Sequence, residues 1–345
     1  MNHQQLSSFP QTRYQGSKLK LLPWIQDCIS KLKYQPVLDA FSGTSSVSYL
    51  FKTLDKTVFS NDIMPCNYYT SKALIENNSI LITEEDISFI LQKHYHHYDD
   101  FIEQTFQDIY YTKEENQWLD IVIQNILQIH CEYKKSIALW ALFQSCIIKR
   151  PYNLFHRKNL HIRTAEVSRS FGNKSTWDKS FEFFLRKFIQ QANQAIFSNG
   201  KNHYSSCDDI FQLDIPNPDL IYIDSPYIPQ KGSKTTYYDF YHFLNGMTKY
   251  YSWKNQIDYS SKNLKLISPY SIWEDKQNIF YAFQQLFQKY QNSQLLISYR
   301  SDGIPSIENL VQELQNFNKK VHIYSLDYKY VFSKNQTQET LILAI

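Results

Sequence analysis

Two apolar runs joined by one helix constrain the fold of this chain more than any other feature. Residues 37–41 (VLDAF) lead into a turn around Gly43, and residues 56–63 (KTVFSNDI) end on Asn61-Asp62. Between them SGTSSVSYLFK reads as a glycine turn followed by a helix. Strand, helix, strand in that order makes the two strands parallel, because a helical crossover returns the chain to the same end of the sheet. A second helical stretch, residues 65–78, follows. The expectation is an α/β fold with a doubly wound, Rossmann-like sheet.

The texture changes near residue 83. Thr83-Glu84-Glu85-Asp86 and Thr112-Lys113-Glu114-Glu115 read as capped helix starts, the second as a capping box. Apolar residues then recur at helical spacing as far as Ile148, and Pro151 stops the last helix. A polar, basic stretch follows, then a helix over about 178–197. Strand-like chain returns with DLIYIDSPY (219–227) and QLLISYR (294–300). KVHIYSLDYKYVF (320–332) and TLILAI (340–345) read as a closing antiparallel pair. The 345 residues therefore divide into one sheet domain, 10–82 plus 203–345, split by a mostly helical insertion, 83–202.

Composition bounds the setting. The five cysteines (Cys28, Cys66, Cys131, Cys146 and Cys207) have no CxxC spacing, which argues against a zinc site or a disulfide framework and for a reducing cytoplasm. HYHH (94–97) has no carboxylate or thiol at ligand spacing, so no metal is expected. The N-terminus lacks the apolar core of a signal peptide. The longest nearly apolar run, Ser136 to Ile148, has 13 residues and is too short to span a membrane. The formal charge is only +3, so any surface for nucleic acid must come from local clustering. Lys149 to Lys187 supplies it, with ten basic residues against three acidic ones.

Chemistry is expected at the strand ends, since the carboxyl ends of parallel strands line the ligand crevice of such a sheet. Gly43 follows a strand and opens a helix, where backbone N–H groups face a ligand; an ordinary βα turn reads the same way. Asp62 lies 19 residues later, at the end of the next strand, where an acid accepts both ribose hydroxyls of a nucleoside. A helix N-cap is the plainer alternative. The strand at 219–223 runs into Asp224-Ser225-Pro226-Tyr227. An exocyclic amine on a flat ring is a poor nucleophile because its lone pair is delocalised. A carboxylate and a backbone carbonyl, each accepting one N–H, localise that lone pair. Stacking on Tyr227 holds the ring, contributing on the order of 1–3 kcal/mol. With a methyl sulfonium nearby, attack needs mainly positioning and electrostatics.

These pieces together resemble the Dam-like family of adenine-N6 DNA methyltransferases, which use S-adenosylmethionine. RYQGSKLKLLPWI (13–25) resembles the family's first cofactor motif, with Tyr14, Gly16 and Lys18 in its marked places. DAFSGTSSV (39–47) resembles the glycine motif, SNDI (60–63) the ribose-acid motif and IDSPY (223–227) the catalytic motif. SSCDDIF (205–211) stands where the family has an acid near the cofactor adenine. Asp208 and Asp209 both fit, and Asp209, directly before an apolar residue, is the choice. ETLILAI (339–345) resembles the last strand. The resemblance implies cofactor contacts from Tyr14, Lys18, Asp39, Phe41, Gly43, Asp62 and Asp209, and catalysis by Asp224, Ser225, Pro226 and Tyr227. Two departures stand out: Ser225 replaces the first of two usual prolines, and Ser45 stands where a second glycine is common, with its Cβ expected to crowd the cofactor slightly.

The resemblance makes the insertion a target-recognition region for double-stranded DNA. Its densest part, residues 150–160, offers Arg150, Asn153, Arg157 and Lys158, with Arg163 close behind; phosphate contacts would position the protein and an Arg or Asn would read a base edge. A solvated basic face is the plainer alternative. Residues 231–244 (KGSKTTYYDFYHFL) read as a mobile loop whose tyrosines either close over an extruded base or pack on the sheet. The target adenine would be flipped from the duplex at a cost of a few kcal/mol. A restriction–modification setting with a cognate endonuclease, and a monomer, follow from the resemblance and from the asymmetry of one recognition region. Transfer to cytosine N4, or a weakened fold that only binds DNA, remain alternative readings at this point.

Overall fold

The computed structural model describes residues 3–94, 97–167, 174–230, 236–328 and 337–345. Its centre is a seven-stranded sheet. The strands are β1 (Pro36–Asp39), β2 (Thr57–Asn61), β3 (Tyr204–Ser206), β4 (Leu220–Ile223), β6 (Gln294–Arg300), β8 (Val321–Tyr328) and β9 (Thr337–Ala344), in the order β3-β2-β1-β4-β6-β9-β8. β5 (Ile228–Pro229) and β7 (Gly303–Ile304) form a separate antiparallel ribbon. β3, β2, β1, β4 and β6 run parallel. β9 is antiparallel to β6 and β8 antiparallel to β9, the expected closing pair.

Side chains alternate across this sheet with the period of two that a pleat imposes. Val37, Val58, Leu220, Tyr222 and Leu296 join one buried cluster, while Leu38, Phe59, Ile221, Ile223, Leu295 and Ile297 join another on the opposite face. Both faces are covered, which is why these strands read as continuous apolar runs. The chain winds outward from β1 through β2 to β3, then returns beside β1 as β4. The carboxyl ends of β1 and β4 therefore flank the point where strand order reverses, where an open α/β sheet has its crevice.

Between β2 and β3 the chain is mostly helical. Both predicted starts are capping boxes: Thr83 with Asp86 opens Glu84–Leu91, and Thr112 with Glu115 opens Lys113–Leu127. The helix Glu132–Ile148 is buried at every residue from Ser136 to Ile148, which explains its nearly uniform apolarity. It packs against the helices Phe181–Ala195 and Pro65–Ser71, and its side chains share one cluster with Val37 and Leu220. These helices thus close over one face of the sheet. Among the described residues no helix is long and apolar enough to cross a membrane.

Two of the basic residues expected at DNA are inside the protein. Arg150 is 1 % exposed and donates to the carbonyls of Tyr110, Leu154 and Arg157 and to the Asn159 side chain. Arg163 is buried in a bidentate pair with Glu115, at 2.9 and 2.6 Å, and Lys149 joins the same carboxylate at 2.9 Å. A guanidinium that is buried and has four of its five N–H donors on internal acceptors is out of reach of a phosphate. Arg150 instead holds the loop 151–159 in shape, leaving Tyr152, Arg157 and Lys158 exposed and Asn153 half-exposed. Of the expected loop at 231–244, residues 231–235 lie outside the described residues, and Tyr237–Met247 is a helix. In HYHH, Tyr95 and His96 also lie outside them; His94 is not helical but follows the helix Glu84–Leu91 and bonds the Phe89 carbonyl. No group of three or more His, Cys, Asp or Glu among the described residues is placed to hold a metal ion.

Candidate active site

The ends of β1, β2 and β4 open on a cavity of about 470 Å³, within the roughly 300–1,000 Å³ of small-molecule sites. After β1 the backbone turns at Gly43, which has φ +50° and donates its N–H to Asp62 Oδ2 at 2.8 Å. Asp62 Oδ1 accepts the Met64 N–H at 2.8 Å, and Oδ2 also accepts from Asn67 Nδ2 at 3.1 Å. One carboxylate thereby ties the glycine turn to the end of β2 and to the helix Pro65–Ser71. Burial raises its pKa, and these three hydrogen bonds oppose the rise. A carboxylate has about four lone-pair positions, so acceptor capacity remains for a ligand.

Ser45 does not crowd the cavity. It has φ +60°, the left-handed region where glycine is favoured, but its buried hydroxyl lies 2.9 Å from that of Ser71, behind the turn. Ser42 and Ser60 meet the same Ser71 hydroxyl, so the missing glycine is replaced by a hydroxyl cluster that holds the turn.

Asp39 lies at the cavity wall and is 1 % exposed. Its Oδ2 accepts the Ser48 N–H and hydroxyl at 3.1 and 2.6 Å, whereas Oδ1 has no hydrogen-bond partner among the described residues. Burial pushes its pKa up to about 7, against the Ser48 bonds and with help from Asp224 and Asp62. A buried acceptor left open costs free energy, and a cationic group from a ligand relieves it. The ammonium of S-adenosylmethionine is such a group, so the residues present fit that donor.

Lys18 and Asp224 meet across the cavity. Lys18 is 6 % exposed, and its Nζ lies 2.8 Å from Asp224 Oδ1 and 3.3 Å from Glu339 Oε1 on β9. Burial pushes the Asp224 pKa up to about 6; Lys18 pulls it down and Glu339 pushes it up. Lys18, expected at the cofactor, thus has its ammonium on Asp224, the carboxylate expected to be catalytic. Ser225 is buried and Pro226 borders the cavity. Tyr227 is clamped: Arg300 donates to its hydroxyl at 2.9 Å, sits 4.8 Å from the ring centroid and pairs with Asp302 at 2.7 Å.

The remaining walls are aromatic. Tyr14 stacks on Tyr241 at 4.1 Å and on Tyr237 at 6.0 Å, and it accepts a hydrogen bond from Asn67. Phe41 meets Trp273 edge-on at 5.1 Å, and Trp273 lies parallel to Phe211 at 5.7 Å. Asp208 and Asp209 both line this end; Asp209 Oδ1 accepts the Phe211 N–H, and Asn61 holds the Asp208 backbone on both sides. Gly16 permits the close approach of these walls. It has φ +82°, and a Cβ there would lie 2.4 Å from the Tyr237 hydroxyl. Gly16→Ala is therefore expected to lower stability by about 1–2 kcal/mol and to weaken donor binding by pushing Tyr237 off Tyr14. Thermal denaturation and a donor titration check both effects.

The cavity unites every predicted cofactor and catalytic residue: Tyr14, Lys18, Asp39, Phe41, Gly43, Asp62, Asp209 and Asp224 to Tyr227. Glu339, Arg300, Asp302 and Trp273 were missed, and Tyr237 was read only as one of the tyrosines of the 231–244 stretch. Arg300 had a signal, since it ends a predicted strand beside the crevice. Trp273 had none, because it belongs to no strand and no motif.

A nucleoside-sized cavity at a strand-order reversal, with a paired Asp-x-Pro-Tyr carboxylate inside it, defines the class of Rossmann-like methyltransferases that act on an amine. Residues 14–311 match the model of the D12 class N6 adenine-specific DNA methyltransferases. The chain is 29 % identical to the type II methyltransferase M2.HphI of Haemophilus parahaemolyticus, over 97 % of both chains. It is 26 % identical to the modification methylase StsI of Streptococcus sanguinis and 24 % identical to the type II methyltransferase M.FokI of Planomicrobium okeanokoites. It spans about half the length of those two, 49 % and 50 %, with 94 % of its own length aligned in each case. The protein belongs to the D12 class of N6 adenine-specific DNA methyltransferases. Cytosine N4 is thereby set aside as the target, and the family's reaction is in general one that uses S-adenosylmethionine.

Proposed function

We propose that this chain methylates N6 of adenine at one short sequence in double-stranded DNA, as the modification enzyme of a restriction–modification system. The observation that carries the reading is Asp224, held by Lys18 beside a clamped Tyr227 in the same cavity as Gly43, Asp39 and Asp62. S-adenosylmethionine lies with its ribose on Asp62, its ammonium on Asp39 and its adenine against Phe41 and Asp209, while Tyr14 and Gly43 shape the space between. The target adenine leaves the duplex and stacks on Tyr227. Asp224 and the Ser225 carbonyl accept its two amine hydrogens, and the localised lone pair takes the methyl group directly, with no covalent enzyme intermediate. The relatives named type II methyltransferase or modification methylase favour a cognate endonuclease as partner. The protein acts as a monomer in the cytoplasm. Incubation with unmethylated DNA and methyl-labelled S-adenosylmethionine, followed by nucleoside mass spectrometry and methylation-sensitive sequencing, tests the reaction, its target base and its sequence specificity. N6-methyladenine at one motif supports the reading; N4-methylcytosine, or no methylated base, defeats it.

The segment 83–202 is the target-recognition region, and Asn153, Arg157 and Lys158 are its DNA contacts. Arg157→Ala and Lys158→Ala are each expected to weaken binding to all sequences alike and to reduce the slope of log K against log salt by about one. Binding isotherms at several salt concentrations check this. Arg150→Ala is expected to lower stability instead, since its contacts are internal.

A further inference from the structure

Glu339 is a buried carboxylate that the reaction as described leaves without a task. It sits on β9, fully enclosed, where its Oε1 accepts the Ser298 hydroxyl at 2.6 Å. The same oxygen is 3.3 Å from Lys18 Nζ, whose ammonium is 2.8 Å from Asp224 Oδ1. Ser298, Glu339, Lys18 and Asp224 thus form one chain of contacts from the inside of the sheet to the cavity. A lysine and one carboxylate would be neutral together. A second carboxylate leaves the group with one negative charge, and burying it is costly. A neutral acceptor at position 339 would satisfy Lys18 at lower cost, so the charge itself calls for an explanation.

We infer that Glu339 is a positioning residue that divides the charge of Lys18 and so keeps the Asp224 carboxylate able to take up the proton released by the adenine amine. The inference rests on Asp224 being the amine acceptor. In the transfer the N6 lone pair forms the new C–N bond while the C–S bond breaks, its electron pair returning to sulfur. N6 becomes cationic and passes one proton to Asp224. The Lys18–Asp224–Glu339 group goes from one negative charge to neutral, and the proton leaves for solvent when the product departs.

Among the described residues, the groups facing Asp224 are Lys18, Glu339, Asp39, Tyr222, Tyr227 and Tyr237. Burial raises the pKa of all three tyrosines, so they stay neutral through the working range. Asp39 does titrate near neutrality, but it is the same in every variant below. A change of acid limb between variants therefore reports on Asp224.

The experiment is the single-turnover methylation rate of a duplex carrying one target site, with donor and DNA saturating, from about pH 5 to about pH 9. Glu339→Gln keeps the shape and removes the charge. Its acid limb is expected about one pH unit below that of the wild type, with a plateau lower by at most about tenfold because a weaker base receives the proton. Ser298→Ala removes the donor that stabilises the Glu339 charge and is expected to move the limb in the same downward direction, by less. An acid limb unchanged or raised in Glu339→Gln overturns the inference, even if the plateau falls, because a packing role lowers the rate at every pH alike. If Glu339→Gln does not fold, Ser298→Ala decides alone, and an unmoved or raised limb overturns the inference. Failure of the wild type to methylate defeats the functional reading itself and is distinct from either result.

Discussion

Asp224→Ala is expected to lower the single-turnover methylation rate by at least about 10³-fold while leaving donor affinity within about threefold of wild type. In the proposed mechanism the carboxylate makes two contributions that no other group among the described residues replaces. It localises the amine lone pair by accepting one N–H, and it offers the proton a destination. The Ser225 carbonyl survives the substitution but does neither alone. The proposed donor side consists of Asp39 on β1, the Gly43 turn and Asp62 after β2, none of which depends on Asp224 for a hydrogen bond. The fold is also protected, because Lys18 keeps Glu339 as a counter-charge when Asp224 is gone. Rapid-quench methylation and calorimetric donor titration give the two numbers. Full activity would sink the mechanism, and equal loss of rate and donor affinity would mean that Asp224 holds the donor rather than the base.

Much of this site was legible because its pieces are local. A strand followed by Gly43 and a helix is a statement about ten adjacent residues, and the capping boxes at Thr83 and Thr112 are each complete within four. Asp62 and Asp224 were legible at one remove: each ends an apolar run, and parallel strands place such ends together. The misreadings are non-local. Arg150 and Arg163 lie in a basic stretch, and nothing nearby in sequence says that Tyr110 and Glu115 will enclose them. Ser45 looked like a glycine lost beside the donor, but its hydroxyl partner, Ser71, comes from another helix. Glu339 was seen only as the start of a last strand. Its meaning depends on β9 entering the sheet beside β6, which brings a residue near the C-terminal end within reach of Lys18.

Lys18→Met is expected to abolish methylation and also to destabilise the protein by about 3 kcal/mol, the largest stability effect foreseen for a site residue. The substitution keeps most of the buried stem and removes the ammonium that Asp224 and Glu339 share. Breaking a buried pair costs about 3–5 kcal/mol when a charge is left uncompensated. The lower end applies, since the Asp224 side chain is 21 % exposed and so partly hydrated, and Glu339 keeps Ser298. The loss will depend on pH. Burial already holds Asp224 at about 6 in the folded protein, above its ordinary carboxylate value, and without Lys18 it rises further. A group whose folded pKa lies above its unfolded one contributes stability at low pH and loses it as pH climbs through the folded value. Near pH 5 Asp224 is largely protonated in both proteins and its share of the deficit is small. Above neutrality the wild type keeps an ionised, paired Asp224, whereas the variant must hold a proton or bury a bare charge, so the deficit grows. Urea denaturation near pH 5 and near pH 8 measures it. A deficit equal at both values would mean that the lysine stem, not its charge, stabilises the site. Adding Glu339→Gln to Lys18→Met removes one of the two carboxylates and should recover part of the loss at the higher pH, a coupling that a double-mutant cycle reads directly.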